Sequence, residues 1–208
     1  VQSKQLNAHI RESLAVLVES ADELRDLDQA LGDGDLGITI TAGSHAVITA
    51  LLELDDDATP TDIARTCAKA FANANPSTMA ALVAGALLAG SRTWDGKSDI
   101  GVAEAAAFVS AAADSIATRG KTQVGDKTIL DGIAAAADAL RDASSTTEAS
   151  SAVVAAAAKA VVDTKDLQSR RGRASWLQER SIGLADPGAT AFQRLAEAWK
   201  KVESDSAR

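Results

Sequence analysis

Leu6, Ile10, Leu14, Leu17, Ala21 and Leu24 recur every three or four positions, the stripe of an amphipathic helix turned toward a core. The next step of that series is Asp28, so a carboxylate stands on the line of a buried face. Gly32, Gly34 and Gly37 follow, and glycine lets the backbone turn tightly enough to bring Asp33 and Asp35 back beside Asp28. Asp33 and Asp35, two positions apart, face the same way if that piece is locally extended. Like charges about 4 Å apart repel by roughly 4 kcal/mol at an effective dielectric near 20, so a converging trio needs a cation. Hard oxygen ligands with no nearby His or Cys suit Mg²⁺. The same residues also fit a solvated, glycine-rich turn whose aspartates cap helices and never meet. A calcium-binding EF-hand fails on spacing, because position 12 counted from Asp33 is Ser44 and not a bidentate Glu.

The rest of the chain repeats the helical period. Helices are expected at about 3–29, 37–54, 61–74, 77–94, 100–119, 127–142, 147–168 and 187–204. Thr59-Pro60-Thr61-Asp62, Thr146-Thr147-Glu148 and Asp186-Pro187 carry the capping residues, prolines and first-turn acids that open helices. Alanine dominates, aromatics are 3%, and no strand-like alternation competes, which favours closely packed helices. The expectation is one all-α domain spanning residues 1–208, with no fixed-period repeat.

With a net charge of −8 and no dense basic cluster, nucleic acid is not an expected partner. Cys67 is the sole cysteine, so neither an intrachain disulfide nor a C-x-x-C motif is available. No apolar run reaches about 20 residues and no charged-then-apolar leader is present, so neither a membrane span nor a secretory signal is expected, and a cytoplasmic address follows. The longest non-periodic piece, residues 169–186, carries Arg170, Arg171, Arg173 and Arg180 in an otherwise acidic protein. Long loops in compact domains are often functional, and guanidinium groups pair well with phosphate. The alternative is a solubilising surface loop anchored by Trp176.

Several motifs in order carry a resemblance. Leu27-Asp28 with Gly32-Asp33-Gly34-Asp35-Leu36-Gly37, then Val124-Gly125-Asp126-Lys127-Thr128-Ile129-Leu130-Asp131, then Gly172-Arg173-Ala174-Ser175-Trp176-Leu177 with Glu179-Arg180-Ser181, and finally Asp186-Pro187-Gly188-Ala189-Thr190 span most of the chain. Together they resemble the nucleotide-binding L subunit, or Dak2 (DhaL) domain, of dihydroxyacetone kinases.

That resemblance implies an all-helical barrel of about eight up-and-down antiparallel helices, holding ADP or ATP at one end through Mg²⁺ bridged to Asp28, Asp33 and Asp35. It implies further nucleotide contacts from Leu36, Thr39, Ser77, Thr78, Gly125, Thr128 and Leu130. Arg173 and the turn Asp186-Pro187-Gly188 would close over the nucleotide. Bland roles remain open: Asp186 as a cap only, Arg173 paired with Glu179, Leu130 as core. No catalytic residue beyond the metal site is implied in this chain, since the ketose substrate would be held by a histidine of a separate K-type subunit, which is the implied partner. A phosphohistidine donor protein is a second partner, needed if the nucleotide is permanently bound ADP that must be recharged. His9 and His45 lie outside every motif. Two departures stand out: Leu36 replaces a usual histidine, and Asn73-Ala74-Asn75-Pro76-Ser77-Thr78-Met79 replaces a glycine-rich loop. Two other functions share these features, a regulatory subunit that keeps the Mg-nucleotide and signals through a partner protein, and a subunit of a kinase for a lipid-like acid.

Overall fold

The computed structural model describes residues 1–206; residues 207–208, the end of the expected domain, lie outside the described part. The helices are α1 (Ser3–Val18), α2 (Ala21–Leu31), α3 (Leu36–Leu52), α4 (Pro60–Ala74), α5 (Thr78–Ser91), α6 (Val102–Gly120), α7 (Ile129–Asp142), α8 (Thr146–Lys165) and α9 (Pro187–Ser206). Short 3₁₀ segments cover Arg92–Trp94 and Arg173–Ser181. Among the described residues there is no strand, only an isolated bridge between Gln2 and Asp99.

The single helix expected over 3–29 is two helices. The Glu19 and Ser20 N–H groups donate to Val16 O at 3.1 Å and Leu17 O at 3.0 Å, a tightened turn that ends α1. Asp22 and Glu23 then sit in the first turn of α2, where the helix dipole favours acids. The apolar stripe runs through the break, with Leu6, Leu17 and Leu24 all buried. Counted as one strut, α1 and α2 make the expected eight.

Each strut packs on the next, and α9 closes the ring onto α1 and α2. Leu24, Leu36, Val47, Ile63 and Phe71 lead the main core, while Ile116, Leu130 and Ile133 lead a second between α5, α6 and α7. The alanine content has its explanation in α6 to α8, where Ala106, Ala112, Ala113, Ala136, Ala137, Ala149, Ala157 and Ala160 are buried. Small side chains at those positions allow close helix approach.

Caps set the helix starts. Thr59 Oγ1 accepts from the Asp62 N–H at 3.2 Å while Asp62 Oδ2 accepts from the Thr59 N–H at 3.1 Å, a reciprocal box with Pro60 in the first turn. Ser145, two residues before the expected start, caps α8. The up-and-down order then gathers four helix starts at one end. Asn75 Nδ2, at the end of α4, donates to Thr39 Oγ1 of α3 at 3.0 Å. Around Gly188 of α9 stand Met79 of α5 and Ile129 of α7. At the opposite end, Asn7 Nδ2 donates to Leu51 O at 3.0 Å, and the amino terminus donates to Ile100 O at 2.7 Å.

Candidate metal centre

Asp28 lies in the last turn of α2, where its carbonyl accepts the Gly32 N–H at 2.5 Å. Gly34 then takes φ +76°, a left-handed turn open to glycine, and Asp35 becomes the N-terminal cap residue of α3 with φ −85° and ψ −8°. The Asp33-Gly34-Asp35 piece is therefore a turn and not the extended segment that was one way to align the two carboxylates, and the turn is what reverses the chain. Gly37 makes the close approach possible, since a Cβ there would run into the Ala21 carbonyl of α2. One oxygen each of Asp28, Asp33 and Asp35 lies within 4.8 Å of the others. The solvated turn with separated aspartates is not what forms.

Asp28 Oδ2 accepts the Leu36 N–H at 3.2 Å, tying the end of α2 to the start of α3. Burial pushes the Asp28 carboxyl above its ordinary range; the Leu36 N–H opposes this, and the Asp35 and Asp33 charges add to it. Across the cluster, the Arg173 guanidinium pairs with Asp33 and stands 3.6 Å from Asp35 Oδ2. Arg173 thus meets Asp33 and Asp35 and not Glu179. Three convergent carboxylates and no nitrogen or sulfur ligand fit a hard divalent cation such as Mg²⁺, with the exposed side left for phosphate oxygens or water.

We expect Asp28→Asn to keep the acceptor for Leu36 while removing a charge from the cluster. Without metal its melting temperature should equal or exceed that of the wild type, by up to about 1 kcal/mol in stability. A marked apo destabilisation in a thermal melt would make Asp28 a structural cap only.

The other expected site residues ring the same end of the barrel or build its frame. Leu36 and Thr39 are buried in the first turn of α3. Ser77 caps α5, its Oγ accepting the Ala80 N–H at 3.1 Å, and Thr78 is exposed in the first turn. Gly125, at φ +91°, donates its N–H to Asp131 Oδ1 at 2.6 Å. Thr128 caps α7, and Leu130 is core, 3% exposed. Pro187 and Gly188 are buried at the start of α9, where Asp186 Oδ2 accepts the Ala189 N–H at 2.7 Å.

Burial lifts the Asp186 carboxyl to about 7; the Ala189 N–H opposes the rise, the Asp131 charge adds to it, and the Lys127 charge opposes it. A raised carboxyl means the neutral form belongs to the fold. Its contribution is fully present below about pH 4 and is lost as pH rises toward 7. Asp186→Asn keeps a cap without a charge, so its melting temperature relative to wild type should climb between pH 4 and pH 7 and then level off. A flat difference across that range would contradict the buried neutral acid.

Two residues given no role by the sequence matter here. Asn75 ties α4 to Thr39, and no periodicity singles it out. Lys127 is 1% exposed, and it stands between Gly125 and the capping Thr128 in a motif that assigns it no role of its own.

The chain matches the DAK2 domain over residues 30–201, a range that includes Asp33 and Asp35 and begins just after Asp28. It is 33% identical over 185 residues to the PEP-dependent dihydroxyacetone kinase 1, ADP-binding subunit DhaL, of Listeria innocua, covering 89% of each chain. It is also 33% identical to the L-erythrulose 1-kinase of Mycolicibacterium smegmatis, with 88% of this chain covering 33% of that protein. Among solved structures, the dihydroxyacetone kinase from C. freundii in complex with AMP-PNP and Mg²⁺ superposes with a TM-score of 0.73 at 18% identity, over 98% of this chain and 34% of that one. The chain thus spans about a third of these last two proteins.

Proposed function

This chain belongs to the DAK2 domain family, and from that premise we propose that it is the nucleotide-binding subunit of a kinase for dihydroxyacetone or a related short ketose. The observation that carries the reading is the meeting of Asp28, Asp33 and Asp35 within 4.8 Å at the end of the barrel where four helices start. Helix starts offer unpaired N–H groups and a favourable dipole to phosphate, and the carboxylates offer the counterpart for the metal. Asp28, Asp33 and Asp35 would hold Mg²⁺, whose positive charge would offset the charge on the phosphate during transfer.

In this reading ADP or ATP lies across Leu36, Thr39, Ser77, Thr78, Gly125, Thr128 and Leu130, with Arg173 and Asp186-Pro187-Gly188 above it. Because the Ser77 hydroxyl is engaged as a cap, the donors left at the start of α5 are the Thr78 and Met79 N–H groups. Arg173 neutralises Asp33 and Asp35 and would turn onto phosphate once a cation takes over that task. The acceptor comes from elsewhere. His9 Nε2 lies 3.0 Å from Trp199 O, the two rings tilted by 47° with centroids 4.1 Å apart, and His45 is exposed midway along α3. A K-type subunit carrying the ketose is the partner that completes the site. Trp176 is 80% exposed, with Ile182 and Leu184 exposed on the same loop, an apolar edge suited to such a partner. A phosphohistidine donor would recharge the nucleotide if ADP never leaves. We place the chain in the cytoplasm, where its nucleotide is made; among the described residues no helix is long and apolar enough to cross a membrane.

Thermal melts test the reading. A ligand held only by the folded state, at 100 times its dissociation constant, adds about 2.7 kcal/mol. ADP with Mg²⁺ should raise the melting temperature while ADP in EDTA should not, and an equal rise in both would overturn the metal-bridged site.

A further inference from the structure

Lys127 sits at φ +62°, a left-handed conformation uncommon outside glycine, and is 1% exposed. Its Nζ donates to Lys165 O at 2.8 Å, Leu167 O at 2.9 Å and Ser181 O at 2.6 Å. An ammonium has three donors, and all three are used on backbone carbonyls. Burial pulls this amine below its ordinary range, against the favourable charges of Asp186 and Asp166. A methionine would fill the same length without burying a charge. What it could not do is satisfy three carbonyls at once.

Those carbonyls are not scattered. Lys165 ends α8, Leu167 follows it, and Ser181 ends the 3₁₀ segment that begins with Arg173. They bracket the arginine-bearing loop from both sides. Neighbouring bonds close the same base: the Gly183 N–H donates to Lys165 O at 2.9 Å, and the Ser169 N–H donates to Ser181 Oγ at 2.9 Å. Asp126, next to Lys127, accepts from the Arg170 N–H at 3.1 Å through its carbonyl and from Arg171 Nε at 3.2 Å through Oδ2. Arg173 comes two residues later and reaches Asp33. The Asp126-Lys127 pair at the start of α7 therefore holds both feet of a loop whose tip meets the metal cluster.

We propose that Lys127 is the positioning residue of this loop: by clamping the carbonyls of Lys165, Leu167 and Ser181 it sets where Arg173 stands over Asp33 and Asp35. Its consequence for nucleotide affinity rests on the reading under Proposed function; the clamp itself does not. With the clamp lost, the loop opens from its base and Arg173 leaves the cluster, while the helical ring keeps its core.

Hydrogen exchange on the full chain reads the clamp without any ligand. Lys127→Met should speed exchange across residues 168–182 by about tenfold or more, the scale of losing hydrogen bonds to a charged group. Protection in α1 to α6 should stay as it is. Calorimetry with ADP and Mg²⁺ then reads the consequence. Lys127→Met should weaken binding by about tenfold in the wild-type background and by nothing further in Arg173→Ala, since both changes remove the same contact. A general loss of stability would add in both backgrounds and would overturn the assignment, as would unchanged exchange in the loop. If Lys127→Met does not fold, Ser181→Ala decides. It removes the neighbouring clasp on Ser169 without touching the buried charge, and it should speed loop exchange in the same residues; no change would overturn the clamp. If the wild type binds no Mg-ADP, the nucleotide reading falls while the exchange result still decides the clamp.

Discussion

Purified alone, the chain is expected to transfer no phosphoryl group to free dihydroxyacetone or erythrulose above background, and to gain turnover only when a ketose-carrying subunit is added. A kinase must hold donor and acceptor in line, and orientation supplies much of the acceleration, on the order of 7 kcal/mol or more of the barrier. The three carboxylates and Arg173 gather on the donor side. Among the described residues nothing comparable gathers for an acceptor. His9 is engaged with Trp199 on α9, and His45 is a single exposed position midway along α3. Steady-state assays of the chain with each ketose, repeated with a matching substrate-binding subunit, give the comparison. Addition of the partner should raise the rate by on the order of 10³-fold or more, well within what orientation alone delivers. Robust turnover by the single chain would show that its own surface holds the acceptor and would end the two-subunit reading.

Asp33→Ala is expected to be nearly as severe for binding. Partners one shell away from a metal cost 10- to 100-fold on mutation, so a direct ligand should cost on the order of 100-fold or more in Mg-dependent nucleotide affinity. The fold should survive. Asp33 is exposed, and among the described residues its side chain caps no helix and its one ion pair is with Arg173. Arg173→Ala should behave differently, because it removes a counter-charge from the carboxylates as well as a phosphate contact. Divalent-cation affinity without nucleotide should hold or rise in Arg173→Ala while nucleotide affinity falls. Titration with Mn²⁺ in the absence of nucleotide separates the two variants.

How much of this was legible beforehand depends on the length scale of each signal. Helix position was readable because period and caps are local: the residues 187–204 expected as a helix are Pro187–Ser206, and 61–74 is Pro60–Ala74. The convergence of the aspartates was readable because Asp28 continues the stripe through Leu24 and three glycines follow it. Its backbone was not. Local extension was one way to align Asp33 with Asp35, whereas Gly34 at φ +76° makes a turn, next to the close approach of α3 to α2 at Gly37. The break at Glu19-Ser20 escaped the periodicity because the apolar stripe continues across it.

Long-range polar contacts were the least visible. The sequence offers arginines in the loop, and pairing Arg173 with Glu179 was the local alternative; the pairing with Asp33 spans most of the chain and depends on the ring being closed. Lys127 stands in a motif that carries the resemblance, yet its three acceptors come from backbone carbonyls of residues 165, 167 and 181, which no side-chain pattern encodes. The glycine-poor approach to α5 reads the same way in both views. Pro76 is followed by a Ser77 cap that uses its own hydroxyl, so phosphate contact there falls to the N–H groups of the first turn.

The most direct test of the account is calorimetric titration of the wild-type chain with ADP in magnesium and again in EDTA. The convergence of Asp28, Asp33 and Asp35 within 4.8 Å predicts saturable binding with magnesium and a loss of on the order of 100-fold without it. Equal affinity in the two buffers would contradict the metal-bridged nucleotide site.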